Sequence, residues 1–529
     1  MIMADTSFLL LQAIIVPMVL SVPVLLLGRA VKGKVGWLVF AVLMYSVVQL
    51  GYVQYALYAI PDLEAVQASY EWLPDITLPG LGMLSLGNFT LRADGLSTPV
   101  ALIISILCAL ISVYSIKYME HEHALGEYFA LYLLYAAGMM GTVLVTNLAA
   151  FFLFFELMLI PSWALVGVWG TGLKERIAFK YFMFTETGAL SLLAGIVATG
   201  FAARTLDIFG VSKGLVGVPV STQMAIVVAM LLGLFVKMAI FPLHTWLPDA
   251  HAEAPTPISA LLSPAMIGIG GYAAIRILYT GFPSVIVAKS PQFMLILSVL
   301  ALVTMVYGGY MALAQDDIKR LLAYSSISQM GYMLFGIASV SSIGVLGAVL
   351  LYVSHGLSKA VLFMVAGVLI HEFKTRSIKE LGGLGPKMPY TAVLTLVGFL
   401  GLMGFPYIVG FWAELYIFAG SMNAGLQGFV GELGYSGTRV LVTALAVVAS
   451  VLTASYGLWT VRRIFYGQPT EKAKEAKEGS LMMLAPMIVL AALSVLLGLY
   501  PGVISNGTLS YIIKVISSFV GIGGGCAPS

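Results

Sequence analysis

Long apolar runs separated by short polar breaks recur along the whole chain. Fourteen of them are long enough to cross about 30 Å of hydrocarbon. They predict membrane-crossing helices over 8–28, 36–58, 95–116, 127–146, 148–169, 177–202, 223–241, 257–280, 292–313, 321–340, 343–370, 390–406 continuing to 420, 439–465 and 481–500. Between the second and third runs, Pro61 to Arg92 is rich in Gly and Pro. It alternates in Ile76-Thr77-Leu78 and Leu84-Ser85-Leu86, which predicts a small hairpin. Gln468 to Gly479 reads as a solvated linker.

Two runs are broken by proline. The seventh ends in Ile240-Phe241-Pro242 and the twelfth contains Gly404-Phe405-Pro406. Each break has one embedded charge beside it, Lys237 before the first and Glu414 after the second. Such paired interruptions point to inverted repeats with an ion site at each break. The pattern therefore predicts an all-α polytopic membrane protein of about 14 transmembrane helices. Two inverted five-helix repeats (helices 4–8 and 9–13) would contain the broken helices 7 and 12. Residues 1–125 would hold helices 1–3 and the hairpin loop, 126–285 the first repeat, 286–466 the second, and 467–529 helix 14 with a short tail.

Composition sharpens this picture. Of 529 residues, 60% are hydrophobic and 10% charged, against about 25% charged in soluble domains. A net charge of +3 gives no footing for a nucleic-acid partner. Loops after odd-numbered runs hold 17 Lys and Arg, and the other side holds 7. The positive-inside rule then places both termini on the outer side. Asp5 precedes the first run with no basic residue before it, so that run reads as a retained helix rather than a cleavable signal. The two cysteines, Cys108 and Cys526, make neither a disulfide framework nor a cluster motif.

The candidate chemistry lies in the titratable groups inside the runs. A charge at the bilayer centre costs roughly 2.5–3.5 kcal/mol, so it marks function or a specific partner. Glu156 sits in Phe154-Phe155-Glu156-Leu157-Met158 and must find a cation or become neutral; Lys237 is the expected partner, and a lysine whose charge depends on a nearby carboxylate is a proton switch. His355 and Lys359 lie four apart on one face of the eleventh helix, suited to a relay through water. Glu414 follows the second break. Glu186 either joins the relay or pairs with Lys180. His244 and His251, with Asp249 and Glu253, stand at the inner mouth, as proton entry or as plain loop solvation. Their spacing does not suit a metal, and no phosphate-binding or nucleophile motif occurs, so no metal or cofactor is expected in this chain.

These stretches carry a resemblance. Phe154-Phe155-Glu156-Leu157-Met158-Leu159-Ile160-Pro161, the run from Lys237 to His251, the run from Asp317 to Tyr332, and His355-Gly356-Leu357-Ser358-Lys359-Ala360 resemble the antiporter-like subunits of the respiratory complex I superfamily. That superfamily includes NADH:quinone oxidoreductase, membrane-bound hydrogenases and multisubunit cation/proton antiporters. The resemblance covers roughly residues 90–465 and is strongest to the medium-length subunit. It implies a hydrated axis at the membrane midplane, with Glu156 as modulating carboxylate, Lys237 as pumping lysine, and Lys359 and Glu414 continuing the path. The moved ion would be the proton, or sodium exchanged for protons. Partners would be other membrane subunits and peripheral redox subunits with iron–sulfur clusters, with nickel–iron as a variant, in a prokaryotic plasma membrane. A redox-independent cation/proton antiporter is the alternative. Many relatives carry a lysine or histidine in helix 8, where this chain reads Ser263-Pro264-Ala265-Met266-Ile267-Gly268; either water bridges that gap or the subunit conducts differently.

Overall fold

The computed structural model describes residues 2–60, 63–72, 74–78, 82–427 and 436–520. Cys526 falls outside them. Helices α1 (Ile2–Val31) and α2 (Val35–Ala59) lead into the polar segment. There β1 (Ala65–Tyr70) pairs antiparallel with β4 (Phe89–Asp94), and β2 (Ile76–Leu78) pairs with β3 (Gly82–Leu84). The expected hairpin is thus nested inside a second pair, and its return strand ends at Leu84 instead of starting there. The outer pair has a weak signature because β1 buries only Val66 and Ala68 on its inward face.

The first helical group is α3 (Ser97–Tyr118), α4 (Leu125–Leu144), α5 (Leu148–Trp169), α6 (Lys174–Ala203), the short α7 (Ile208–Gly214) and α8 (Val220–Met238). After the first break come α9 (Leu247–Glu253), α10 (Thr256–Leu261) and α11 (Ile267–Ile275). The second group is α12 (Pro283–Leu313), α13 (Ile318–Ile337), α14 (Ser342–Phe373), α15 (Pro389–Leu402), α16 (Val409–Gln427), α17 (Ser436–Ala449) and α18 (Val451–Phe465). The one-turn α19 (Glu471–Lys474), then α20 (Leu481–Leu499) and α21 (Gly502–Val520), close the chain.

The protein is an all-α polytopic membrane protein with few strands. Among the described residues, twelve helical segments are long and apolar enough to cross a membrane. One of them, Thr256–Gly281, joins α10 to α11 through a π-helical turn, Leu262–Met266, ends in a second, Arg276–Gly281, and is buried along nearly its whole length. Outside the twelve stand α13, which opens with Lys319-Arg320, and the pair α15–α16, divided at Met403–Ile408. α14 is the hub, packed against α3, α10, α13, α15, α16 and α20.

Ion pairs fix the two ends of the bundle. At the end carrying the strands, Asp94 and Arg276 form a buried pair at 2.5 Å, and Arg276 also donates to the hydroxyls of Tyr272 (3.0 Å) and Tyr511 (2.5 Å). Burial by itself would raise the Asp94 carboxyl, but Arg276, with Ser97 N–H and Arg92, more than offsets it, and the carboxyl lies below the ordinary aspartate range. At the opposite end, Asp249 is held by Lys180 (2.7 Å) and Arg320 (3.0 Å). There Arg376 bridges Glu253 (3.3 Å) and Asp317 (2.7 Å). Lys180 therefore pairs with Asp249 and not with Glu186.

Candidate ion-translocation site

The first break begins where α8 ends. Ala239 takes a left-handed conformation (φ 54), and the chain turns through Phe241-Pro242 before α9. A broken helix leaves carbonyls that hydrocarbon cannot satisfy, so protein must. Trp246 Nε1 donates to Val236 O at 2.9 Å, and Thr304 Oγ1 accepts from Phe241 N at 3.3 Å. Lys237, in the last turn of α8, is 1% exposed. Its ammonium has no hydrogen-bond partner and lies 4.9 Å from the Phe155 ring centroid. Glu156 on α5 and Glu186 on α6, both half-buried, are within electrostatic reach of Lys237 and of each other. No direct ion pair joins Lys237 to either carboxylate among the described residues, and Glu156 Oε1 is unpartnered.

The proline-rich turn supplies two histidines. His244 is stacked on Phe241 (5.5 Å) and bonded through Nε2 to Tyr307 OH at 3.0 Å. His251 is fully buried against the Phe363 ring (5.0 Å), and neither ring nitrogen has a hydrogen-bond partner. It is within electrostatic reach of Lys319 and Lys359, and of His355. Glu253 is tied instead into the end-face latch by Arg376 and Thr171 (3.2 Å).

His355 and Lys359 project from the hub helix α14 and are 1% and 0% exposed. Lys359 donates to Leu322 O (2.7 Å) and to Ser325 Oγ, both neutral acceptors on α13. Both ring nitrogens of His355 are unpartnered. At the second break, the carbonyls freed at the end of α15 are capped from neighbouring helices. Gln329 Nε2 donates to Leu402 O at 3.1 Å and Ser354 Oγ to Gly401 O at 3.2 Å. Gly404 (φ +65) turns the chain so closely against Glu414 that a Cβ there would fall 2.7 Å from its Oε2. Glu414 is buried, its Oε1 is unpartnered, and the buried Tyr332 and Tyr456 sense its charge.

The structure thus makes two groups of the expected residues: Glu156, Glu186 and Lys237, and then His251, His355 and Lys359, with Glu414 beyond. Among the described residues no side-chain hydrogen bond or ion pair joins the two groups. At the helix-8 gap, Ser263 Oγ meets Ser326 Oγ at 2.6 Å and Tyr352 OH donates to Ala265 O at 2.8 Å. Polar residues without a charge escape sequence reading here: Ser325, Ser326, Ser328 and Gln329 are all buried on α13, and Tyr456 on α18 is buried with its hydroxyl unpartnered. Their signal is four hydroxyl and amide side chains within five positions of one transmembrane-length helix.

Fold and site define a class first: polytopic membrane proteins with two interrupted helices, each beside a buried charge. The family described as NADH:quinone oxidoreductase/Mrp antiporter, TM, matches residues 145–437. The N-terminus of chain 5 of NADH-Ubiquinone oxidoreductase (complex I) matches residues 84–129. F(420)H(2) dehydrogenase subunit M of Methanosarcina mazei is 32% identical over 476 residues, covering 88% of this chain and 91% of that one. NAD(P)H-quinone oxidoreductase chain 4-2 of Synechocystis sp. is 33% identical, covering 82% and 74%. In fold, a chain of the Mrp complex from Dietzia sp. gives a TM-score of 0.81 at 22% identity, covering 98% and 99%. A chain of respiratory complex I from Thermus thermophilus gives 0.80 at 23%, covering 98% and 100%. The protein belongs to the NADH:quinone oxidoreductase/Mrp antiporter family. It is an antiporter-like membrane subunit of complex I-type and related multisubunit complexes.

Proposed function

We propose that this chain translocates protons as a membrane subunit of a redox-driven complex. One observation carries the reading: Lys237, His251, His355 and Glu414 are buried, and each keeps at least one polar atom without a partner. A static buried pair would be mutually satisfied. Groups left open exchange protons with water and with each other. Glu156 and Glu186 bias Lys237; His244 and His251 feed the path from the loop-bearing end; His355 and Lys359 pass it to Glu414. Amines and imidazoles suit a proton better than sodium, which needs a shell of oxygens; sodium/proton exchange remains the alternative.

The proposal includes fourteen crossings, with α13 and the α15–α16 pair added to the twelve. It also includes two inverted repeats, 126–285 and 286–466, between the N-terminal helices (1–125) and the C-terminal segment (467–529). A repeated local structure supports the repeats. Asn147 and Asp317 each cap a helix through two backbone N–H groups, and each makes a single bridge to a residue 60 positions on, Asp207 and Ser377. Both partners follow a left-handed residue, Arg204 (φ 56) or Lys374 (φ 51), and a threonine whose hydroxyl accepts their N–H at 3.2 Å. One copy sits at each end of the bundle. The strand-bearing end would be the outer side of a prokaryotic plasma membrane, with both termini there.

The relatives of Methanosarcina and Synechocystis are named as a dehydrogenase and an oxidoreductase, which favours iron–sulfur redox partners. The likeness to the Mrp complex favours the redox-independent antiporter. Purification with native partners, followed by assay for iron, nickel and acid-labile sulfide, separates the two: metal-free partners that are all membrane subunits would leave the antiporter. In proteoliposomes, Lys237→Ala in the assembled complex is expected to lose coupled proton uptake, and undiminished uptake would sink the relay.

A further inference from the structure

A cavity of about 730 Å³ opens at the strand-bearing end, between the end of α2, α7, the end of the Thr256–Gly281 span and α21. Its size is within the usual range for ligand sites, roughly 300–1,000 Å³. Three cations line it, Arg92, Lys213 and Lys514, with Glu64 as the acidic residue among its lining groups. Lys514 holds Glu64 at 2.8 Å, and Arg92 lies over the Phe209 ring at 4.4 Å. The Lys213 ammonium has no ion pair or hydrogen bond among the described residues. The span order assigns seven basic residues to this end: Arg92, Arg204, Lys213, Arg276, Lys289, Arg439 and Lys514. Three line this cavity, and a fourth, Arg276, holds Tyr511 in its wall. Asp94, paired with Arg276 and 3.3 Å from Arg92, and Glu64 offset two of these four cations, and the surplus, with Lys213 unpaired, calls for an anion.

The rest of the lining says which kind. Leu57, Val503 and Val515 make apolar walls, and Asn506 and Ser510 offer polar groups beside them. Tyr58, 72% exposed at the rim, follows Tyr52 and Tyr55 on the outward face of α2. Exposed tyrosines in that arrangement belong at the headgroup level of a bilayer. An apolar slot with a cationic end, opening at headgroup depth, complements a phosphate ester carrying acyl or isoprenoid chains. We infer that this cavity binds an anionic phospholipid of that leaflet, its phosphate between Lys213 and Lys514.

The test uses the full chain in its native complex, in nanodiscs of phosphatidylcholine titrated with phosphatidylglycerol, with bound lipid counted by native mass spectrometry. Wild type is expected to retain one phosphatidylglycerol per chain, not displaced by inorganic phosphate. Affinity should fall roughly fivefold in Lys213→Gln and roughly thirtyfold in Lys213→Gln/Lys514→Gln. Lys213→Arg should bind as wild type, which separates charge from misfolding. Three results would overturn the inference: equal retention in the double variant, equal retention of phosphatidylcholine, or displacement of the lipid by free phosphate. Cross-linking of a partner polypeptide to a photoreactive group at position 213 would do so too.

Discussion

The two halves of the proposed relay solve the problem of a lysine in hydrocarbon differently. Lys237 answers to two carboxylates, Glu156 and Glu186, on helices with open flanks: Leu153 is 57% exposed, Ile160 53% and Met183 46%. Lys359 is enclosed on the hub helix, whose core is 94% buried, and its bonds go to a backbone carbonyl and a serine hydroxyl. Counting from the two capping residues makes the contrast concrete. Glu156 lies nine residues after Asn147, and nine residues after Asp317 the chain has Ser326. The first half places a carboxylate where the second places a hydroxyl. In the proposed relay, a carboxylate on an open flank can be reached by a neighbouring subunit's charge, whereas the enclosed Lys359 has only groups of its own chain around it.

The largest expected effect comes from removing the enclosed amine. Lys359→Met keeps the stem and is expected to lower coupled proton transport about a hundredfold or more, since a positioned proton-transfer group contributes roughly 10²–10⁴-fold. His251 and His355 lie near it, but neither replaces the amine bonded to Leu322 O and Ser325 Oγ. Glu156→Gln should act less severely, because Glu186 remains to bias Lys237. Proteoliposome proton uptake in the assembled complex measures both. If Glu156→Gln proved the more damaging, the ranking of the halves would reverse.

The parts legible in the sequence were those with a strong physical signature. Transmembrane-length apolar runs and prolines beside single charges stand out because hydrocarbon tolerates neither unless protein compensates. The split at Ser450 between α17 and α18, the short α7 and the outer strand pair β1–β4 lack such a signature. The candidate site was partly legible for the same reason: Glu156, Lys237, His355, Lys359 and Glu414 are charges or imidazoles among apolar neighbours. Ser325, Gln329 and Tyr456 are residue types that any helix tolerates, and only burial on facing helices distinguishes them. The proposed repeat was least legible. Its shared signature is Arg204-Thr205-Leu206-Asp207-Ile208 against Lys374-Thr375-Arg376-Ser377-Ile378, five residues whose common role is a left-handed cap and a threonine turn.

A smaller effect tests whether the neutral acceptors matter. Ser325→Ala removes one of the two acceptors of the Lys359 ammonium, and a hydrogen bond to a charged group contributes roughly 1.5–3 kcal/mol. Transport should fall about tenfold or more with its pH optimum displaced, and Ser325→Thr should restore both. A uniform fall at every pH would mean that Ser325 only packs.

The smallest effect lies in the backbone, where the two breaks carry opposite residues. Both need a left-handed conformation as the preceding helix ends, which the first supplies with Ala239 (φ 54) and the second with Gly404 (φ +65); the second has a further left-handed residue, Tyr407 (φ 71), three positions on. A left-handed non-glycine residue costs roughly 1–2 kcal/mol. Ala239→Gly relieves that strain while adding freedom to the unfolded chain, which returns about 0.4–1 kcal/mol. The net should be a slight stabilisation, between about zero and about 1.6 kcal/mol. Gly404→Ala does the reverse and also drives a methyl group toward the Glu414 carboxylate, 2.7 Å away. It should destabilise by about 1–2 kcal/mol or more and slow transport through the second half. Thermal stability of the two variants in the same detergent gives the comparison directly. Shifts of opposite sign are expected, because the first break has room for a side chain and the second has given that room to Glu414.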